Sequence, residues 1–228
     1  MEEGIRRMFS TLADTYELVN HVLTLGFDVV WRRKLARMAG GGMRWLDVCS
    51  GTGETAIYLN RRARDGTRVF GVDFCVPMVR KASSKPEADG ISFSIADATS
   101  LPFGDETFDL VTISFATRNL DVHRDALLES LREFRRVLVS GGRFLNLETS
   151  QPRSRLVRAF FHKYVRLFVK PVGELISGSK AGYAYLSHTI PRFYTAPQLG
   201  EIIEEAGFAR VSFKPMLCGI VAIHEAVK

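Results

Sequence analysis

The run Asp47-Val48-Cys49-Ser50-Gly51-Thr52-Gly53-Glu54 constrains this chain more than any other stretch. It ends the short apolar segment 44–49 and opens a helical segment at 55–64. Two glycines between a strand and a helix make a turn whose backbone can approach a ligand closely. Gly51-x-Gly53-x-x-Ala56 fits the G-x-G-x-x-A nucleotide fingerprint, and Asp73 closes the next strand 20 residues after Gly53. An acid at that position accepts hydrogen bonds from ribose hydroxyls.

The rest of the chain repeats the same alternation. Apolar runs at 68–73, 91–95, 108–115 and 142–149 read as strands. Segments 76–84 and 121–138 read as helices, the second capped by Asp121. A helix at 196–206 precedes strands at 210–213 and 219–226, separated by a turn-like Lys214-Pro215-Met216, which predicts an antiparallel edge hairpin. Seven strands with interleaved helices predict an α/β fold with a mostly parallel sheet, the last strand antiparallel, and helices on both faces. Two helices precede it, at 5–20 and 27–38, the second stopped by Gly40-Gly41-Gly42. The first has an apolar face of Ile5, Phe9, Leu12, Ala13, Tyr16 and Val19. One domain over 1–228 is expected, with 1–40 as a helical cover and 151–194 as a helical insertion over the acceptor.

Composition excludes other classes. An apolar fraction of 46% and a net charge of +6 over 228 residues rule out disorder as the main state. No apolar run approaches a membrane span, and the acidic start MEEGIRR has no apolar core of a secretory signal. Cys49, Cys75 and Cys218 are odd in number and lack C-x-x-C spacing, and the five histidines lack metal-ligand spacing. The expectation is a cytoplasmic protein without a metal.

Two nucleoside cofactors suit the turn, a dinucleotide and S-adenosyl-L-methionine. Asp47 separates them. A carboxylate just before a phosphate-binding turn repels pyrophosphate. It suits a ligand carrying an ammonium and a sulfonium instead. The candidate cofactor contacts are Asp47, Cys49, Ser50, Gly51, Thr52 and Gly53, then Asp73. Asp97 is placed for the adenine amino group and Ala98 for a backbone contact to the ring. Phe74 and Met78 are placed to pack on the adenine, or to serve as core.

With these residues the sequence resembles the class I S-adenosylmethionine-dependent methyltransferases. More narrowly, it is similar to the ubiquinone/menaquinone biosynthesis C-methyltransferase family. The likeness runs from Phe9-x-x-x-Ala13-x-x-Tyr16-Glu17-x-x-Asn20 through Leu25-Gly26, Trp31-Arg32 and Leu101-Pro102-Phe103. It continues in Ser114-Phe115-Ala116-Thr117-Arg118-Asn119, Leu147-Glu148-Thr149-Ser150, Tyr183-x-Tyr185-Leu186 and Gly219-Ile220-x-Ala222-x-His224. Ala116 stands where the family usually has glycine, Glu17 where it has aspartate, and Thr149 where it has phenylalanine. The resemblance implies a Rossmann-like fold, Ser114 among the cofactor contacts, and methylation of a ring carbon on a prenylated quinol or phenol. It places Tyr16 on a helix that covers the cofactor. A methyltransferase for another small acceptor and a non-catalytic S-adenosylmethionine-binding protein stay open. A homodimer is compatible with either.

Ring-carbon methylation needs a stabilised aryl oxide. Arg118 and Asn119 follow the fourth strand, at the strand end where open α/β sheets bind ligands. They are the candidate catalytic pair, with Tyr16. The alternative for Arg118 is an ion pair with Glu148 that props the loop. His123 is a further candidate base.

Residues 153–170 hold six lysines and arginines and no acid, so the remainder balances at 25 basic against 25 acidic. Leu156, Phe160, Tyr164, Leu167 and Phe168 recur there at helical spacing. This basic amphipathic segment is expected to pack over the acceptor pocket, to touch a membrane surface, or both. Nucleic acid is not expected, since no binding motif accompanies the charge.

Overall fold

The apolar runs pair into a single sheet. The computed structural model describes residues 9–228. The strands are β1 (Arg44–Val48), β2 (Arg68–Asp73), β3 (Ile91–Ile95), β4 (Phe108–Ser114), β5 (Leu138–Thr149), β6 (Ala209–Met216) and β7 (Val221–Val227). Their order is β3-β2-β1-β4-β5-β7-β6. The first five are parallel, and β7 runs antiparallel to both β5 and β6.

Both faces of the sheet are covered. The helices are α1 (Tyr16–Leu23), α2 (Phe27–Arg37), α3 (Glu54–Asn60), α4 (Val76–Ser83), α5 (Thr117–Leu120) and α6 (Arg124–Val137), then α7 (Arg155–Tyr164), α8 (Lys170–Ser177), α9 (Lys180–Thr189) and α10 (Ala196–Glu205). Side chains alternate across a strand. Leu46 and Val48 of β1 therefore join Leu131 and Phe134 of α6 on one face. Trp45 joins Leu35 of α2 and Leu59 of α3 on the other. Each such fully buried side chain contributes about 1.5–3 kcal/mol. A third cluster stands apart from the sheet: Leu12, Val19, Phe161, Val165, Val169 and Tyr183.

Four local expectations need correction. The helix expected at 5–20 breaks at 13–15, and its start, Ile5 included, lies outside the described residues. Phe9, Leu12, Ala13 and Val19 are buried as the periodicity implied. Asp121 does not cap the long helix: the chain forms α5 first, and His123 caps α6 by accepting the Ala126 N–H at Nδ1, 3.1 Å away. Lys214-Pro215-Met216 is not a turn but part of β6. Proline is tolerated there because β6 is the edge strand and needs no further N–H donor. The reversal falls at Leu217–Gly219 instead, where φ is 44°, 54° and 89°. In the 153–170 segment, α7 continues through a π-helical turn at Val165–Val169 into α8. Phe161, Val165 and Val169 form the inward face, whereas Leu156, Phe160, Leu167 and Phe168 point outward.

Candidate active site

The glycine turn sits at the C-terminal end of β1, against β2. Asp73 braces it: Oδ2 accepts the Gly51 N–H at 2.8 Å and Oδ1 accepts the Cys75 N–H at 2.8 Å. Gly53 has φ 81°, and a Cβ there would come within 3.0 Å of Ala82 and the Phe93 ring. The position demands glycine on both counts. Cys49 and Phe115 also adopt positive φ, 53° and 57°. They end adjacent strands β1 and β4, so backbone strain is concentrated at one rim of the sheet.

That rim opens into a cleft with about 1320 Å³ of space, the open solvent at its mouth included. Of the residues expected from sequence, Tyr16, Cys49, Ser50, Gly51, Thr52, Asp73, Phe74, Met78, Asp97, Ala98, Ser114 and Asn119 line it. Asp47, Gly53 and Arg118 do not. Asp47 lies buried beneath the turn, where its Oδ1 accepts the Thr112 hydroxyl at 2.6 Å. Burial pushes its carboxyl up to about 7, against the pull of Thr112 and Arg32. Burial also raises Asp73, opposed by its two backbone N–H donors, and holds the Cys49 thiol well above its usual range. One Asp97 oxygen already accepts from the Thr99 N–H and hydroxyl, at 2.9 and 2.7 Å.

The turn after β4, which brings Ala116 and Asn119 to the cleft, is held from β5. Asn146 and Glu148, two apart and on one face, hold the turn that follows β4. Thr117 donates to Asn146 Oδ1 at 2.7 Å. The Arg118 N–H and Nη1 donate to Glu148 at 3.2 and 3.1 Å, and Nη1 also reaches Thr149 Oγ1 at 3.1 Å. Arg118 and Glu148 are both buried, so the ion pair weighed from the sequence exists. The Nε of Arg118 and the Oδ1 of Asn119 have no hydrogen-bond partner. The positive charge of Arg118 reaches the hydroxyls of Tyr16 and Tyr185. Burial raises both tyrosines above their ordinary range.

His123 lines the cleft, but its cap role engages Nδ1 as acceptor and leaves the proton on Nε2. His224 is buried within the sheet, with Nε2 2.9 Å from the Ala196 carbonyl, and His188 lies beside Arg192 on the surface.

Arg32 escaped the sequence reading. It lines the cleft from α2, buried, with its guanidinium 5.2 Å from the Phe115 ring centroid and Nη1 donating to Thr55 at 2.7 Å. Its Nε lacks a hydrogen-bond partner and stands 3.7 Å from Glu54 Oε2. The available signal was a pair of charges, Asp28 and Arg32, one turn apart on a helix face otherwise made of Trp31, Leu35 and Ala36. His21 of α1 bonds Asp28 at 2.6 Å and lies 3.6 Å from Glu54. These three side chains approach one another as metal ligands can, with Arg32 supplying a counter-charge. They tie the covering helix to the helix that begins at the glycine turn.

The donor set fits S-adenosylmethionine. Asp73 keeps free lone pairs at the cleft after bracing the turn. Ser50 Oγ, Ser114 Oγ and Asn119 Oδ1 are buried without partners. Glu54 opens α3 and lines the cleft where a pyrophosphate would lie, and Asp47 is buried beneath the same turn, an acidic setting that disfavours phosphate.

The sheet order with its antiparallel β7, together with this cleft, defines a class I methyltransferase, and S-adenosylmethionine is its cofactor. A crystal structure of an S-adenosylmethionine-dependent methyltransferase from Thermotoga maritima, described as a possible histamine N-methyltransferase, superposes with a TM-score of 0.68. It shares 17% identity and covers 97% of this chain and 99% of that one, a likeness of fold. The chain belongs to the ubiE/COQ5 methyltransferase family, whose model matches residues 1–228. It is 36% identical over 227 residues to the ubiquinone/menaquinone biosynthesis C-methyltransferase of Desulfotalea psychrophila, covering 99% of this chain and 90% of the relative. It is 38% identical over 221 residues to the demethylmenaquinone methyltransferase of Thermus thermophilus, covering 95% and 98%.

Proposed function

We propose that this protein methylates a ring carbon of a prenylated quinol of the demethylmenaquinol type. The observation that carries the reading is the Arg118–Asn119 turn. It combines a buried cation with an unpartnered Nε, just behind the cleft wall, and the unpartnered amide oxygen of Asn119, which lines the cleft. Membership of the family, and the names its relatives carry, support the same acceptor class.

Bound S-adenosylmethionine supplies an electrophilic methyl group carried on a sulfonium. Asp73, Asp97 and the backbone of the 49–52 turn hold its nucleoside, and Ser114 and Arg32 are within the same cleft to meet its amino-acid end. The acceptor carbon becomes a good nucleophile only when the neighbouring hydroxyl gives up its proton. A guanidinium is a permanent cation in ordinary buffers, and Arg118 supplies one. It stabilises the resulting oxide, directly or through one water. Asn119 Oδ1 accepts from that hydroxyl or that water. Tyr16, kept protonated by burial, donates from the covering helix to substrate or to the cofactor carboxylate. Water takes up the hydroxyl proton; after transfer the methylated carbon gives its hydrogen to water as a proton and the ring oxygen regains one, restoring the aromatic ring with one proton released overall. Ordering the two reactants in one cleft accounts for a large part of the rate.

A prenylated acceptor lives in a bilayer, so the reading includes contact with a membrane through 153–170. Among the described residues no helix is long and apolar enough to cross one. The test is incubation with methyl-labelled S-adenosylmethionine and a chemically reduced, short-tailed demethylmenaquinol, followed by product identification. The label should appear on a ring carbon. Label on oxygen or nitrogen, or no transfer by protein that binds the cofactor, would overturn the reading.

A further inference from the structure

The helix formed by α7, the π turn and α8 has two apolar faces where a surface helix needs one. The inner face, Phe161, Val165 and Val169, is already satisfied by Leu12, Val19 and Tyr183. The outer face is bare: Leu156 is 67% exposed, Phe160 66%, Leu167 52%, Phe168 48% and Leu175 86%. Apolar side chains this numerous on one exposed helix mark an interaction site.

A second bare face lies alongside. In α1 and the corner after it, Leu18, Val22 and Leu25 recur at i, i+4 and i+7, and are 55%, 42% and 81% exposed. The two elements are fastened together. The Tyr164 hydroxyl donates to the Leu23 carbonyl at 2.6 Å, and the Tyr164 ring stacks on Phe168 with centroids 5.2 Å apart. The inner faces of α1 and α7 share one buried cluster, and the Tyr164 contacts set the C-terminal end of α1 beside the Tyr164–Phe168 turn of the outer helix.

The charge along α7–α8 is almost all of one sign, whereas the α1 segment adds only Asp14 and Glu17, the latter paired with Lys85. Arg155, Lys163, Arg166 and Lys170 are exposed along the same helix. From 153 to 177 the one acid is Glu174, 3.9 Å from Lys170. A soluble protein partner would need an acidic rim that also matches an apolar stripe. A bilayer with anionic headgroups offers both chemistries at any orientation about its normal.

We propose that the outer faces of α1 and α7–α8 form one membrane-docking surface, which inserts Leu25, Phe160, Leu167 and Leu175 among lipid chains while the neighbouring cations meet anionic headgroups. The proposal deepens the quinol reading, on which its purpose rests. One of these helices, α1, carries Tyr16, which lines the cleft, and α7 is bonded to the end of α1, so a tail held in the bilayer reaches the cleft without leaving it.

The test is flotation of the purified full chain with vesicles of phosphatidylcholine alone, or of equal parts phosphatidylcholine and phosphatidylglycerol. The expected result is binding to the anionic vesicles that weakens at high salt. Phe160→Ser with Leu167→Ser should weaken it at least tenfold, and each of Arg155→Gln, Lys163→Gln and Arg166→Gln about fivefold. All these side chains are exposed, and methylation of a short-tailed, detergent-free quinol should stay within about twofold of wild type, which reports an intact fold. No flotation, or flotation indifferent to these substitutions, overturns the proposal. So does a dimer in analytical ultracentrifugation that the serine pair dissociates, because a second copy would then occupy the surface. Flotation without quinol methylation would sink the acceptor assignment and leave the docking surface standing. Methylation without flotation would do the reverse.

Discussion

Replacing Asp47 by asparagine isolates a buried charge. Asp47 is 1% exposed and its carboxyl is pushed from 3.8 up to about 7, mainly by desolvation. The native state therefore holds this proton more tightly than the unfolded chain does. The resulting stabilisation is complete below pH 3.8 and is lost as the pH rises through 7. A displacement of about three units corresponds to about 4 kcal/mol. The asparagine side chain has the shape of the protonated acid, can still accept from Thr112, and does not titrate. The difference in unfolding free energy, Asp47→Asn minus wild type, should consequently grow by about 4 kcal/mol between pH 4 and pH 8. Titrations of groups that do not feel the Asp47 charge cancel in that difference. Urea denaturation of the cofactor-free protein at a series of pH values reads it directly. A difference that is flat with pH would mean that Asp47 is solvated or paired well enough to ionise normally, and the reasoning from burial would fail.

Three further outcomes are expected. Asp73→Ala removes the brace on Gly51 and the acid offered to the ribose, and should weaken S-adenosylmethionine binding at least tenfold in calorimetry; unchanged affinity would remove Asp73 from the cofactor site. Arg118→Ala should abolish turnover while cofactor affinity stays within about twofold, and should destabilise the fold by about 3–5 kcal/mol because Glu148 is left buried and unpaired. Adding Glu148→Gln should restore most of that stability but none of the turnover, and recovered turnover would reduce Arg118 to a prop. Gly173→Ala would set a Cβ 2.1 Å from the Tyr183 ring, so its helix-propensity gain of about 1 kcal/mol should be outweighed by overpacking of about 1–3 kcal/mol or more. A raised midpoint in thermal unfolding would contradict that contact.

Features written within a few residues of one another were legible in the chain alone. The glycine turn, its two flanking strands and Asp73 are local, and periodicity placed the buried face of the N-terminal segment. Choices between neighbouring chemical equivalents were not. Asp121 and His123 can both cap a helix, and the short α5 turn decided for His123. Pro215 reads as a breaker unless its strand is known to be the edge. The site was harder where it depends on register. Glu148 meets Arg118 because β4 and β5 align Ser114 with Leu147, and no spacing rule along the chain expresses that alignment. Arg32 went unassigned for a related reason: a charged residue on an apolar helix face gains its meaning from the strand ends it faces.

The separate cluster under the covering helices has an evolutionary consequence. Leu12, Val19, Phe161, Val165, Val169 and Tyr183 share no buried member with the two clusters on the sheet. Substitutions on the two sides should therefore combine nearly additively. This helical cluster can drift, or be exchanged, while the residues that line the cleft from the sheet keep their composition. The hinge of that modularity is Ile220, which packs against both the helical cluster and the β1–α2 layer. Coupling between substitutions in the helical cluster and substitutions in the sheet should be greatest at that residue.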